Sequence, residues 1–326
     1  MDIHGKVLVT GGTGLVGKAI KSLINTTNTF FFIGFKSNDH NIIQCNLSDQ
    51  KETDTLFDTI KPDYVIHLAA NVGGLYKNTN YKVQMLEDNI IINLNVLKAC
   101  KKYNVKKVIC CLSTCIFPDY QECINKNIHL EYPLDETVLH NGPPHHSNDA
   151  YAYAKRLMDI QCRAYNEQYS TNFICVIPTN VYGKYDNYNL EDSHVIPGLI
   201  HKCYLAKQNN EPFVVKGTGK PLRQFIYSDD LAKLILWTLS NYNSKEPIIL
   251  ADSKEYSIKE VAEYIAEFFE YSSSLQFDHN YSDGQYKKTI TNKKLLENID
   301  FQFKPLKEGL QETIEWFKIN YYNCRK

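Results

Sequence analysis

The stretch Val7-Leu-Val-Thr-Gly-Gly-Thr-Gly-Leu-Val-Gly17 decides the fold. A short apolar run leads directly into glycines and then into a segment with helical spacing, which is the order strand, tight turn, helix. Glycines at such a turn let backbone N–H groups approach a phosphate, and the N-terminus of the helix adds positive potential. We therefore predict a dinucleotide-binding turn that consists of Gly11, Gly12, Thr13, Gly14, Leu15, Val16 and Gly17.

The first half of the chain continues to alternate between short apolar runs and longer helical patterns. Further runs of strand length cover residues 30–33, 64–68, 107–112 and 173–177. Candidate helices lie between the runs, at 14–24, 50–60, 81–103 and 151–169. Buried strands separated by helices need crossover connections, so we predict an α/β fold with a doubly wound parallel sheet of the Rossmann type.

The pattern loosens after Pro178. Candidate helices follow at about 196–206, 228–239, from Ser257 onward and at about 306–321, and Ser257-Ile-Lys-Glu260 has the form of a capping box. This change predicts a smaller C-terminal substrate lobe. We divide the chain into a dinucleotide-binding domain, residues 1–177, and a substrate-binding lobe, residues 178–326, parts of which can interleave with the first domain.

Charge and cysteine content exclude several classes of protein. With 36 basic and 37 acidic residues the formal net charge is −1, which gives no reason to expect nucleic acid or a membrane surface as a partner. The strand-like run at residue 7 leaves no room for a signal peptide, and no segment approaches the roughly 20 apolar residues of a membrane span. The ten cysteines lack disulfide-framework or metal spacing, so we expect reduced thiols, no metal and a cytoplasmic protein.

The end of the second predicted strand bears on the choice of cofactor. It reads Ile33-Gly-Phe-Lys-Ser-Asn-Asp39, without the acidic residue that usually holds the ribose 2′-hydroxyl of NAD at a strand end. Lys36 and Ser37 are suited to a 2′-phosphate, which favours NADP(H). The alternative is that Lys36 is a solvated loop lysine and that Asp39 serves NAD.

A tyrosine and a lysine are candidates for carbonyl reduction. The pattern Tyr-x-x-x-Lys occurs three times, but only Tyr151/Lys155 opens a candidate helix after a polar, Pro-rich loop. At that spacing both side chains share one helix face, and an ammonium there lowers the pKa of the phenol and makes it a better acid. Ser113, at the end of the run 107–112, would hydrogen-bond the substrate carbonyl. Cys115 is either a second proton-transfer group or a buried strand-end cysteine.

These features resemble the extended short-chain dehydrogenase/reductase family. The resemblance rests on Gly11–Gly17, Leu68-Ala-Ala70, Ser113 and Tyr151 with Lys155. More specific stretches are similar to members that epimerise and reduce a GDP-linked 4-keto-6-deoxymannose: 72–74, 113–118, 140–144, 178–183, 192–197, 223–227 and 282–288. The resemblance implies NADP(H) as cofactor, a GDP-sugar substrate and a homodimer.

The resemblance also assigns roles to residues. In the family the counterpart of Cys115 removes protons from the carbons beside the ketone, that of His194 returns one, and that of Tyr151 donates to the ketone oxygen. Implied cofactor contacts are Leu68, Ala69, Ala70, Tyr151, Lys155, Pro178, Thr179, Asn180, Val181 and His194. Implied substrate contacts are Ser113, Asn180, Lys202, Lys216, Arg223 and Asp283. Thr13, where some members have Arg, and Lys216, where the family often has Trp, depart from the pattern.

Two other functions remain open from the sequence. One is a related nucleotide-sugar epimerase or dehydratase that keeps NAD bound and recycles the hydride. The other is a catalytically silent protein that senses NADP(H). The first is disfavoured by the missing strand-end acid, and the second by the intact set Ser113, Tyr151 and Lys155.

Overall fold

Strands and helices alternate along the chain in a computed structural model that describes residues 3–24, 29–37, 39–281 and 283–326. The strands within these residues are β1 (Val7–Thr10), β2 (Phe30–Gly34), β3 (Ile42–Gln44), β4 (Tyr64–His67), β5 (Lys107–Cys111), β6 (Phe173–Pro178), β7 (Asn180–Tyr182), β8 (Phe213–Lys216), β9 (Leu222–Tyr227), β10 (Ile248–Leu250), β11 (Glu255–Ser257) and β12 (Leu275–Asp278). The helices are α1 (Leu15–Leu23), α2 (Gln50–Ile60), α3 (Leu75–Asn80), α4 (Lys82–Lys102), α5 (Tyr120–Asn125), α6 (Asp149–Tyr169), α7 (Val195–Asn209), α8 (Ser228–Asn241), α9 (Ile258–Phe268), α10 (Lys293–Leu296) and α11 (Leu306–Asn320).

A parallel sheet organises the larger part of the molecule. Its strand order is β10-β6-β5-β4-β1-β2-β3, and every pairing in it is parallel. Six of these strands have the order 3-2-1-4-5-6 of the doubly wound dinucleotide-binding fold. The predicted fold class is confirmed.

Both faces of this sheet are covered, because its strands are apolar on both sides. Val7, Leu8 and Val9 of β1 are fully buried between β2 and β4. Residues of α1 and α8 pack with one face of the sheet, and residues of α2, α4 and α6 pack with the other. Because the strands are parallel, their carboxyl ends lie at one edge of the sheet. The predicted site residues follow β1, β4, β5 and β6 at this edge.

A second apolar cluster supports the substrate side. It joins α7, α9 and α11 to a three-stranded sheet, β11-β9-β7, and to the pair β12-β8, around large buried rings such as Tyr188 and Phe317. The capping box at α9 is confirmed: Ser257 Oγ accepts from Glu260 N at 3.1 Å, and Glu260 Oε2 accepts from Ser257 N at 2.7 Å.

The two halves of the chain share the large sheet. The strand β10 pairs with β6, and α8 packs beside α1, so the segment after Pro178 supplies an outer strand and a covering helix. The proposed boundary between residues 177 and 178 stays a prediction about domain units. No helix in the described part of the chain is long and apolar enough to cross a membrane.

Candidate active site

The glycine turn after β1 leaves little room for side chains and keeps its donors available. Gly11 has φ +71°, and a Cβ on it would lie 2.9 Å from Ala69 N. A Cβ on Gly17 would lie 2.4 Å from Gly11 O. Helix α1 begins after Gly14 without a side-chain cap, so among the described residues its first N–H groups have no capping side chain. This turn has the close backbone approach and the donors that a dinucleotide pyrophosphate needs.

The residues that follow β4 are held against the glycine turn by hydrogen bonds to Thr10. Thr10 Oγ1 accepts from Leu68 N at 3.1 Å and from Ala69 N at 3.2 Å. Leu68, Ala69 and Ala70 are half-buried beside Gly11, which is where the resemblance expects them to meet the cofactor.

The end of β2 carries an available cation. Lys36 is exposed, with its Nζ 5.5 Å from the centroid of the Phe35 ring. Ser37 Oγ accepts from Asp39 N at 3.0 Å, and Asp39 forms an ion pair with Lys21 at 2.7 Å. Among the described residues Lys36 pairs with no carboxylate, whereas Asp39 is already held by Lys21. This arrangement fits a 2′-phosphate at Lys36 and Ser37 better than a ribose hydroxyl at Asp39.

Ser113 and Cys115 lie in a tight turn at the end of β5. Ser113 is the N-cap of the 3₁₀ turn Thr114–Ile116, and its Oγ accepts from Cys115 N at 3.4 Å. Cys115 is only 7 % exposed, and burial raises the pKa of its thiol. Lys288, Lys155 and Arg156 lower that pKa through their charges, and the Ser113 hydroxyl lowers it through a hydrogen bond. The thiol is therefore buried but faces cations, as a thiolate base requires.

Tyr151 and Lys155 lie in the first turns of α6, against the same strand end. Lys155 Nζ donates to Cys111 O at 2.7 Å and lies 5.7 Å from the centroid of the Tyr151 ring. Burial raises the pKa of the Tyr151 phenol well above its usual value, and burial lowers the pKa of Lys155. The expected lowering of the phenol pKa by Lys155 is absent from this ligand-free geometry, because desolvation dominates and the ammonium is bound to a backbone carbonyl.

Lys288 is a candidate site residue that the sequence analysis did not single out. It is half-buried, and burial lowers its pKa to about 8, while the charges of Cys115 and Asp119 act in the opposite direction and that of Arg223 in the same one. Among the charged groups that lower the pKa of Cys115, Lys288 acts most strongly. It lies within the stretch 282–288, but no local pattern distinguishes it from Lys287, and Ser282 lies outside the described residues.

His194 lies at the N-cap of α7, on a loop that contacts the start of α3. Its side chain is exposed to solvent, yet the surrounding protein lowers its pKa by desolvation. Gly74 N donates to Asp192 O at 2.8 Å, and a Cβ on Gly74 would lie 2.4 Å from Ser193 O. The glycine in the stretch 72–74 thus permits the close approach of the His194 loop. No hydrogen bond or ring contact joins His194 to Cys115 within the described residues.

Three of the predicted substrate contacts are cations: Lys202 on α7, Lys216 at the end of β8 and Arg223 on β9. Burial and the charge of Lys216 lower the pKa of Lys202, and burial lowers that of Arg223. Lys216 is exposed, with Nζ 4.4 Å from the centroid of the Tyr281 ring. Both carboxylate oxygens of Asp283 accept from Thr218, at 2.9 and 2.6 Å. Three cations are thus available for an anionic ligand, while Asp283 is engaged by the turn.

The junction between β6 and β7 carries the remaining predicted cofactor contacts. Pro178 ends β6 and is buried, as is Thr179, and Val181 packs with the sheet. Asn180 is exposed, but its Nδ2 donates to Gln224 O at 2.9 Å. The structure thus brings Ser113, Cys115, Tyr151 and Lys155 together, and it places Asn180 and His194 on separate segments of the same side of the fold.

Comparison with known proteins agrees with this geometry. Residues 7–251 match the NAD dependent epimerase/dehydratase family. A GDP-L-fucose synthase from Dictyostelium discoideum is 51% identical over 98% of this chain and 97% of its own length. A probable GDP-L-fucose synthase from Drosophila melanogaster is 45% identical over 98% of this chain and 99% of its own. A crystal structure of a GDP-L-fucose synthetase from Naegleria fowleri bound to NADP superposes with a TM-score of 0.89 at 45% identity, covering 100% of this chain and 98% of that one.

The likeness extends over nearly the whole length of both chains, and it includes the glycine turn and the site described above. The chain therefore belongs to the NAD dependent epimerase/dehydratase family and, within it, to the GDP-L-fucose synthases.

Proposed function

We propose that this chain converts GDP-4-keto-6-deoxy-D-mannose to GDP-L-fucose, by epimerisation at carbons 3 and 5 and NADPH-dependent reduction at carbon 4. The observation that carries the proposal is the Cys115 thiol. It is buried among cations and lies next to Ser113, Tyr151 and Lys155. A site for reduction alone needs the last three groups, whereas a thiol base beside them serves a ketone whose neighbouring carbons must also exchange protons.

The epimerisation step uses the acidity of the carbons that flank the ketone. Cys115 as thiolate takes a proton from carbon 3 or 5, so that the C–H bond breaks and an S–H bond forms while the sugar becomes an enolate. The Ser113 hydroxyl and the Tyr151 phenol donate hydrogen bonds to the enolate oxygen. His194 then gives a proton to the opposite face of the carbon, which inverts the centre. Cations around Cys115 favour its thiolate, as this base requires.

The reduction step uses Tyr151 and Lys155. Bound NADPH supplies a hydride for carbon 4 of the sugar. The Tyr151 phenol gives its proton to the carbonyl oxygen, and Lys155 compensates the charge that remains on the phenolate. Gly11–Gly17 with the first turn of α1 would hold the pyrophosphate, and Lys36 with Ser37 the 2′-phosphate. Because burial raises the pKa of Tyr151, the phenol stays protonated until the reaction creates a stronger base at the ketone oxygen.

The substrate diphosphate is proposed to meet Lys202, Lys216 and Arg223. A diphosphate placed among three cations gains charge-assisted hydrogen bonds and relieves the repulsion between Lys202 and Lys216. Asp283 supports this group indirectly, since its carboxylate holds the Thr218 turn and its charge faces Arg223.

We also infer a cytoplasmic homodimer. All ten cysteines are free thiols, in keeping with a reducing compartment. Helices α4 and α6 pack together, and they expose large apolar side chains, among them Ile91 at 42 %, Tyr153 at 49 % and Ile160 at 45 %. A second copy covering these helices would bury them.

The test is a reaction with authentic substrate. Purified protein is incubated with the 4-keto sugar and NADPH in heavy water. We expect deuterium at carbons 3 and 5, one NADPH oxidised per sugar and GDP-L-fucose as product. The absence of both deuterium incorporation and NADPH oxidation would reject the proposal. Turnover with tightly retained NAD and no net oxidation would favour a 4-epimerase or dehydratase.

A further inference from the structure

A buried carboxylate, Asp119, connects three segments around the site. Asp119 is 3 % exposed. Its backbone N donates to Pro143 O at 2.8 Å, and its Oδ1 accepts from Glu122 N at 3.0 Å and caps α5. Its Oδ2 accepts from Gln285 Nε2 at 2.6 Å, a contact between positions 166 residues apart. The second oxygen therefore takes no part in capping the helix and binds Gln285 instead.

The segment that Gln285 belongs to carries Lys288. A second tether follows Gln285, where Tyr132 Oη donates to Lys287 O at 2.9 Å. Leu222 N donates to Tyr286 O at 2.9 Å, which aligns the segment beside β9. The segment therefore lies between β9 on one side and Asp119 and Tyr132 on the other, and the charge of Lys288 at its end acts on the Cys115 thiol.

We propose that Asp119 is a positioning residue for the epimerisation step: through Gln285 it holds segment 283–288 across the cleft and keeps the Lys288 ammonium beside the Cys115 thiol. The inference rests on the proposed function. Asp119 does not touch the reacting carbons. It acts on the proton-transfer pair, by a hydrogen bond to the segment and by its negative charge.

Several charged groups act on Lys288, and together with Asp119 they determine its pKa. Cys115 and Asp119 favour the ammonium, Arg223 disfavours it, and His145 shares the surroundings of both Asp119 and Lys288. The neighbouring Lys287 instead pairs with Glu255 at 3.5 Å. Asp119 is thus the carboxylate that counterbalances Arg223 at this lysine.

The consequence is a specific effect on proton exchange. Without the charge of Asp119, Lys288 loses its proton at lower pH, so the pH profile of exchange at carbons 3 and 5 moves to lower pH. Without the Gln285 tether, the bonds to Tyr132 and Leu222 still hold the segment, but less firmly, and the Lys288 ammonium is less fixed at Cys115. Exchange then slows relative to reduction, and more sugar is reduced before its centres are inverted.

The experiment compares three variants of the full chain. Asp119→Asn removes the charge but keeps the cap, and its amide can still pair with Gln285 after that side chain flips. Gln285→Ala removes the tether and leaves the charge. Asp49→Asn is the matched control, because Asp49 Oδ1 caps α2 through Lys51 N at 2.7 Å and Glu52 N at 3.0 Å. Deuterium incorporation, NADPH oxidation and product configuration are followed between pH 6 and 10.

We expect Asp119→Asn to move the exchange profile to lower pH. Gln285→Ala should slow exchange about tenfold and raise the share of product reduced without inversion, and Asp49→Asn should do neither. A profile and product ratio unchanged in both Asp119→Asn and Gln285→Ala would overturn the inference while leaving the proposed function intact. Wild-type protein without any exchange would overturn both. If Asp119→Asn does not fold, Gln285→Ala still tests the inference through the ratio of non-inverted to inverted product.

Discussion

Replacement of Lys288 by methionine tests the electrostatic basis of the thiol base. The side chain keeps its length and loses its charge. Lys287→Met is the matched control, because Lys287 directly precedes Lys288 and its Nζ pairs with Glu255 at 3.5 Å, whereas its charge does not act on Cys115. We expect Lys288→Met to slow proton exchange at carbons 3 and 5 about 100-fold near neutral pH, the usual effect of removing one group that stabilises charge at a reacting site.

The pH dependence of exchange follows from the pKa of Lys288. Its value falls from 10.5 to about 8, which corresponds to about 3 kcal/mol of desolvation net of its neighbours. Lys288 and Cys115 titrate as a pair, and base catalysis needs the state that has lost one proton. With the pKa of Lys288 at about 8, roughly a tenth of the pairs have lost this proton at pH 7 and half at pH 8. Wild-type exchange should therefore rise about fivefold between these values and then level off.

In Lys288→Met the thiol titrates without this cation. Burial already raises the pKa of Cys115, and the loss of the Lys288 charge raises it further. Exchange should then keep rising about tenfold per pH unit beyond pH 8, without the plateau.

The assay is deuterium incorporation by mass spectrometry in buffered heavy water, with NADPH oxidation followed in parallel. We expect reduction to fall much less than exchange, and Lys287→Met to behave like wild type. The reasoning would be refuted by a plateau at the same pH in Lys288→Met, or by equal losses of exchange and reduction in it.

Four further predictions follow. Cys115→Ser should slow proton exchange by a factor of about 10² to 10⁴, while direct reduction of the 4-ketone is largely retained. Equal loss of exchange and reduction would mean that the thiol is structural. Tyr151→Phe should reduce NADPH oxidation by a similar factor, while deuterium exchange continues at a lower rate because Ser113 still donates to the enolate oxygen; a normal rate of reduction in this variant would contradict the acid role of Tyr151. Gly17→Ala, whose Cβ would lie 2.4 Å from Gly11 O, should destabilise the protein by about 1–3 kcal/mol in denaturant titrations, and an unchanged midpoint would argue against the tight turn. Lys36→Ala should raise the KM for NADPH roughly tenfold and leave that for NADH unchanged; equal shifts for both would remove Lys36 from the 2′-phosphate site.

Local pattern was sufficient for the first half of the fold. The runs at 7–9, 30–33, 107–112 and 173–177 correspond to β1, β2, β5 and β6, because buried parallel strands are apolar on both faces and need no partner to be recognised. The run 64–68 ends one residue earlier, at His67, and the helix at 151–169 begins two residues earlier, at Asp149. The strands β3 and β7 to β12 were not predicted, since four of them have only three residues and the other three contain charged or polar residues that interrupt an apolar run. β10, for example, is defined by its pairing with β6.

The sequence by itself determined the glycine turn, the Tyr151/Lys155 pair and, through resemblance, the choice of Cys115, because each is a short pattern or lies within one. Only the tertiary structure decided what surrounds these groups. Desolvation raises the pKa of Tyr151 where spacing alone predicted a lowering by Lys155, and the partners of Cys115 come from residues as distant in sequence as Lys288. The reason is physical: burial and Coulomb interactions depend on distances in space, and folding brings segment 283–288 to a strand end more than 160 residues earlier in the chain.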